Sequence, residues 1–185
     1  DSCARLPNHS SVADVIVVDS KGAIVRGRAQ QNIYKQAIAA VSNKTQKSGS
    51  LSEVIRGADV IIGVSGANVI TPEMIKSMNS KAIVFAMANP VPEIMPELAL
   101  SAGAYIVASG RSDFANQINN VLAFPGIFKA VVAGRLKKLD LNMKYAAAQA
   151  IANLVKNPDQ THIVPSPFEP GLAAAVAKAV LDQAS

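Results

Sequence analysis

Four short runs of β-branched and apolar residues recur through the first two-thirds of the chain: 14–19 (DVIVVD), 59–65 (DVIIGVS), 82–88 (AIVFAMA) and 104–109 (AYIVAS). None alternates apolar with polar residues, as a strand with one wet face does. Near-continuous runs of this length read as strands covered on both faces of a parallel sheet. The segments between them carry helix signals. One helix is expected over 31–41, and a short one capped by Ser50 or Ser52 runs through Arg56. Thr71-Pro72-Glu73 supplies a cap, a proline at the first helical position and an acid in the first turn, starting a helix to about Met78. A fourth spans 92–102 and closes at Gly103. Strand alternating with helix implies right-handed crossovers and a doubly wound, mostly parallel α/β sheet. The last third changes character: 142–156 and 169–184 are Ala-rich helices with no strand between them.

The composition fits a folded chain. Of 185 residues half are hydrophobic and 17% charged, with mean hydropathy +0.24, too apolar for disorder. Cys3 is the sole cysteine, which removes a disulfide framework and a thiolate metal site and makes a reducing, cytoplasmic setting the expectation. No apolar run approaches the roughly 18 residues of a membrane span, and the N-terminus has no signal-type apolar stretch, so neither membrane insertion nor export is expected. Residues 1–12 are off-pattern, and the α/β domain is expected over 13–185. The triplets Asn8-His9-Ser10 and Asn43-Lys44-Thr45 read as chance matches to a glycosylation signal.

Net charge is +5, and residues 20–52 hold six bases (Lys21, Arg26, Arg28, Lys35, Lys44, Lys47) and no acid. Such a stretch fits an anionic surface, a phosphate-bearing small molecule or a solvated face. Its only aromatic is Tyr34, so the stacking platform of a nucleic-acid binder is missing and no nucleic-acid partner is expected. The run Arg135-Leu136-Lys137-Lys138 reads as exposed.

In an open α/β sheet, ligands sit outside the carboxyl ends of the strands. Asp19 ends the first run, where an acid can accept hydrogen bonds from the adenosine ribose of a dinucleotide or can simply form a turn with nearby amides. Lys21 could instead face a ribose 2′-phosphate, leaving NAD and NADP both open. Gly63-Val64-Ser65-Gly66 permits close backbone approach to a flat ligand or a plain tight turn. Asn89, before Pro90, would hold its amide at the third strand's end. Asn119-Asn120 precedes an apolar stretch and Pro125-Gly126; a helix cap explains one amide, and the second suits a hydroxy-acid. The Gly-rich G-x-G-x-x-G turn that should precede Asp19 is absent from the sequence. His9 and His162 stand alone, and Glu93 and Glu97, four apart on the expected helix, read as a solvated face. No residue pattern here points to a metal site or a catalytic triad.

Taken together, Gly57-Ala58-Asp59 through Gly66, Thr71-Pro72-Glu73-Met74, Phe85-Ala86-Met87-Ala88-Asn89-Pro90, Gly110-Arg111-Ser112-Asp113-Phe114, the stretch from Asn119 to Phe128 and Pro165-Ser166-Pro167-Phe168 resemble the NAD(P)-binding domain of bacterial-type malic enzymes. The resemblance implies a Rossmann-like fold lacking its first strand-helix unit. It also implies oxidative decarboxylation of L-malate to pyruvate and CO₂ with NAD or NADP, aided by Mg²⁺ or Mn²⁺ in the complete enzyme. It assigns Asn89 and Asn120 to malate and the nicotinamide side, Asp19 to the adenosine ribose, and Val64, Ser65 and Gly66 to the cofactor backbone. The family's catalytic Tyr and Lys and its acidic metal ligands have no counterpart here. The chain is therefore expected to be inactive alone, and to form a homo-oligomer or associate with a catalytic portion. A non-catalytic dinucleotide-binding or interaction module, or another Rossmann-type dehydrogenase, are the competing readings.

Overall fold

The structure, a computed structural model, describes residues 12–184. Cys3, His9, the Asn8 triplet and all but the last residue of the off-pattern N-terminal segment lie outside the described residues. The chain divides into two compact units: the residues up to Ala58 with Ser77–Asn79, and Asp59–Lys76 with the residues from Ser80 onward.

In the first unit the opening apolar run is not a parallel-sheet strand. Only Val18–Asp19 (β1) is strand, and it pairs antiparallel with Gly22–Ala23 (β2) in a separate two-stranded sheet. The chain reverses because the Lys21 amide donates to Asp19 Oδ1 at 2.9 Å and Gly22 adopts φ +99°. No side chain fits there, since a Cβ would stand 2.5 Å from the Gly49 carbonyl oxygen. The preceding carbonyls of Val15 and Val17 accept from the Asn43 and Ile24 amides at 2.8 Å, so that stretch is bonded to loops instead of a ladder.

Helix α1 (Ile33–Val41) starts where the Asn32 side chain accepts from the Lys35 amide. Its last carbonyls, at the negative end of the helix dipole, accept from Arg26: Nη2 donates to Ala40 O at 3.2 Å and Nε to Ala39 O at 3.5 Å. Lys47 does the same beyond α2 (Leu51–Val54), donating to the Val54 and Arg56 carbonyls. The bases of residues 20–52 are therefore partly structural. Asn43 is fully buried with φ +49°; its amide donates to Ile24 O and Lys47 O and accepts from Lys47 N. That commitment agrees with reading the Asn43 triplet as chance.

The second unit holds three parallel strands in the order β3 (Val60–Gly63), β4 (Ile83–Ala86) and β5 (Ile106–Ser109), each inside a run read as strand. Their register is level: Val60 lies opposite Ile83 and Ile83 opposite Ile106, through to Gly63, Ala86 and Ser109. All three strands thus end side by side. Central β4 buries Val84 and Ala86 completely. Edge strand β3 does not meet the expectation of two covered faces, because Val60 and Ile62 are about half exposed.

Helices α3 (Pro72–Lys76) and α4 (Pro96–Ser101) follow β3 and β4. The helix expected from residue 92 begins only at Pro96. Proline drives the residue before it out of the helical region, and Met95 sits at φ −66°, ψ 137°. After β5 come a 3-10 turn (Asn120–Leu122), α5 (Phe124–Gly134), α6 (Leu141–Leu154) and α7 (Leu172–Leu181). The three helices share a core of Leu122, Ala130, Met143, Ala147, Leu172, Val176, Ala177 and Val180. Its alanines, and Gly126 against Val176, let the helix axes approach closely. Among the described residues no helix is long and apolar enough to cross a membrane.

Candidate functional site at the strand ends

The level register puts the residues that follow β3, β4 and β5 along one edge of the sheet. After β3, Val64 is 80% exposed, Ser65 is exposed, and nothing lies within 4 Å of where a Cβ on Gly66 would be. After β4, Asn89 is exposed and joined to Pro90 by a cis peptide bond. Between Asn89-Pro90 and the loop after β5 lies an open cleft of about 320 Å³, lined further by Gly110, Arg111, Gln117 and Asn119.

The loop after β5 is braced internally. Arg111 makes a bidentate pair with Asp113, Nε to Oδ1 at 2.8 Å and Nη2 to Oδ2 at 2.6 Å, and its guanidinium lies over the Phe114 ring at 5.4 Å. The Arg111 hydrogen bonds hold the Asp113 carboxyl below its ordinary range. The Ile118 amide donates to Ser109 O, and Asn119 Nδ2 to Gly110 O.

Asn119 is the cap that one of the paired amides was expected to be: its Oδ1 accepts from the Val121 amide at the start of the 3-10 turn. Asn120 is exposed, and among the described residues neither its side chain nor that of Asn89 has a hydrogen-bond partner. The two amides assigned to substrate are both uncommitted, as is the exposed Asn68 side chain after β3. Asn89 lines the cleft; Asn120 stands beside its wall residue Asn119.

Glu93 corrects the expectation of a solvated face. It is completely buried, while Glu97 is exposed. Glu93 Oε1 accepts from the Ser65 amide at 2.7 Å and from Ser65 Oγ at 3.3 Å, and Oε2 accepts from the Ala88 amide at 2.9 Å. The signal that could have found it is Pro96, which keeps Glu93 off the helix and free to turn inward. Arg111 and Asp113 follow the last apolar run, where ligands are expected, but were given no role, and Gln117 was missed because only the folded loop brings it to the cleft.

Asp19 and Lys21 belong to the other unit. Asp19 Oδ1 accepts from the Lys21 amide and Arg28 Nη1, and Oδ2 from Arg28 Nη2 and Lys35 Nζ. These four bonds use the acceptor capacity of a carboxylate. The Arg28 hydrogen bonds first, then Lys35 and the Lys21 amide, hold its carboxyl far below the usual range. Lys21 Nζ donates to Gln30 at 2.9 Å.

Among the described residues no three His, Cys, Asp or Glu side chains converge as a metal would require, so the donor set does not fit Mg²⁺ or Mn²⁺.

Residues 4–185 match the family model described as the malic enzyme, NAD binding domain. The chain belongs to that family. Its relatives include the bifunctional malic/malolactic enzyme of Bacillus subtilis, 50% identical over 95% of this chain and 44% of that protein. The NAD-dependent malic enzyme of Geobacillus stearothermophilus is 44% identical over 99% of this chain and 38% of that protein. The crystal structure of the NAD-dependent malic enzyme of Thermotoga maritima superposes with a TM-score of 0.85 at 45% identity, covering 91% of this chain and 45% of that one. This malic enzyme domain thus spans less than half the length of the curated relatives it matches, and its α/β, Rossmann-like fold is theirs.

Proposed function

We propose that this domain is the cofactor- and substrate-positioning part of an NAD(P)-dependent malic enzyme, which converts L-malate and NAD(P)⁺ to pyruvate, CO₂ and NAD(P)H. The observation that carries the reading is the pair of uncommitted amides, Asn89 and Asn120, beside three strand ends in a domain of the malic enzyme family. A bound nicotinamide dinucleotide supplies the acceptor for the hydride that leaves malate C2. The chain's own part is orientation. Val64, Ser65 and Gly66 offer backbone to the cofactor, and Asn89 and Asn120 hold both a carboxylate and a hydroxyl, since an amide donates and accepts. Asp19, which already has four partners within its own unit, is the resemblance's candidate for an adenosine ribose, and Lys21 is open to a ribose 2′-phosphate. No ligand for the divalent cation is assigned to these residues.

Titration of the purified chain with NADH, followed by nucleotide fluorescence, tests the reading. Saturable binding is expected, weakened about tenfold in Asn89→Ala, as for loss of one or two polar contacts. With L-malate, Mn²⁺ and either cofactor the chain alone should give no turnover. Absence of NADH binding, or turnover at ordinary enzyme rates, would each refute a part of the assignment.

Self-association is also expected. Phe124, Phe128 and Val132 recur at helical spacing and are 42%, 61% and 78% exposed, an apolar stripe on the face of α5 away from Gly126 and Ala130, and Val121 of the preceding 3-10 turn is 41% exposed. A contiguous stripe of this kind favours association in water. Sedimentation should find concentration-dependent oligomers, shifted to monomer by a Phe128→Glu, Val132→Glu double substitution; a wild-type monomer at all concentrations would count against it.

A further inference from the structure

We infer that Glu93 is a positioning residue: its buried carboxylate clamps the loop after β3 to the loop after β4 and so sets the spacing between the Val64–Gly66 backbone and the Asn89 amide. The effect on ligand binding rests on the dinucleotide reading above; the clamp itself does not.

The geometry is reciprocal. One carboxylate oxygen takes the Ser65 amide and hydroxyl, and the other takes the Ala88 amide, next in sequence to Asn89. The backbone adds two ties, Ile70 N donating to Glu93 O at 3.0 Å and Asn68 N to Pro92 O at 3.1 Å. The space for this carboxylate exists because residue 63 is glycine. A Cβ there would stand 2.5 Å from Glu93 Cδ and 2.7 Å from Oε1. A buried carboxyl with no cation among its described partners is costly to keep. A glutamine in its place would not serve, because an amide has one acceptor oxygen and its NH₂ would face the second backbone N–H. Plain packing would be met more cheaply by an apolar side chain; two N–H groups aimed at one carboxylate from two strand-end loops fix distance and orientation.

The test compares wild type with Glu93→Gln, Gly63→Ala and the double variant. Three readouts are taken well below the melting transition: NADH dissociation constant, hydrogen exchange at the Ser65 and Ala88 amides, and far-ultraviolet circular dichroism. Either single variant should speed exchange at both amides about tenfold and raise the NADH Kd about tenfold with helix content unchanged, and the double should add little, since both act on one carboxylate. Unchanged amide exchange in folded variants overturns the clamp, as does unchanged Kd once protection is lost. Unfolding of Glu93→Gln and Gly63→Ala alike makes Glu93 a residue of the fold and overturns the positioning role. If wild type itself does not bind NADH, the dinucleotide reading fails, while the exchange measurement still decides the clamp.

Discussion

Gly126→Val should lower the melting temperature of this domain by roughly 6–12 °C, about 3 kcal/mol in a chain of this size. Near the start of α5, a Cβ on residue 126 would stand 2.5 Å from Val176 Cβ, 2.7 Å from its Cγ1 and 2.8 Å from the Ala173 carbonyl oxygen. Val176 is completely buried, and α5 packs on α7 across this point, so no atom there can step aside without prising the helices apart. The gain in helix propensity over glycine, under about 1 kcal/mol, is too small to offset this. Gly134→Ala is the control. Its Cβ meets Leu181 Cδ2 at 2.6 Å and Leu136 Cδ2 at 3.0 Å, the far ends of side chains that can rotate. Thermal melts followed by circular dichroism should separate the two by several degrees; equal melting temperatures would mean that the α5–α7 contact does not limit stability.

Asp19→Asn should cost about 2 kcal/mol at neutral pH and flatten the acid limb of the stability profile. The side chains of Asp19 and Arg28 are mostly buried, at 17% and 16% exposure, and Arg28 already has a buried Nε without an acceptor. Exchanging the carboxylate for an amide leaves the guanidinium without its counter-charge, with one side-chain oxygen beside the Gly22 and Ala23 carbonyls as acceptors and an NH₂ facing its other donor. The sign follows from the direction of the shift. The folded-state carboxyl is depressed, so its contribution is complete above the unfolded value of about pH 4 and is lost as pH falls from there toward the depressed folded value. Urea midpoints at pH 7, 4 and 3 should therefore fall steeply for wild type and less for the variant, with the curves converging in acid. Parallel curves would show that Asp19 does not control acid stability.

The sequence exposed what depends on local pattern. Strands 60–63, 83–86 and 106–109 lie inside apolar runs, and Pro72 and Asn119 mark starts where side-chain chemistry demands them. It misled where one backbone conformation overrides a run of suitable residues. The Asx turn at Asp19 and the positive φ of Gly22 cut the apolar run 14–19 down to a two-residue hairpin arm. Glu93 was misread because its spacing from Glu97 has meaning only on a helix, and Pro96 begins that helix too late. Partners distant in sequence, such as Gly63 for Glu93 or Lys35 for Asp19, leave no periodic trace.

Asn116 illustrates what such distant partners accomplish. Buried at φ +54°, it donates to Val107 O at 3.1 Å and Gln160 O at 2.8 Å, and accepts from Ile163 N at 2.9 Å. One amide therefore buckles the last strand to a turn more than forty residues downstream, and all of α5 and α6 hangs inside the loop it closes. Because the entropy of closing a loop grows only logarithmically with its length, the connections within this closed segment can lengthen at little thermodynamic penalty, while α5 and α6 themselves stay fixed by the core they share with α7.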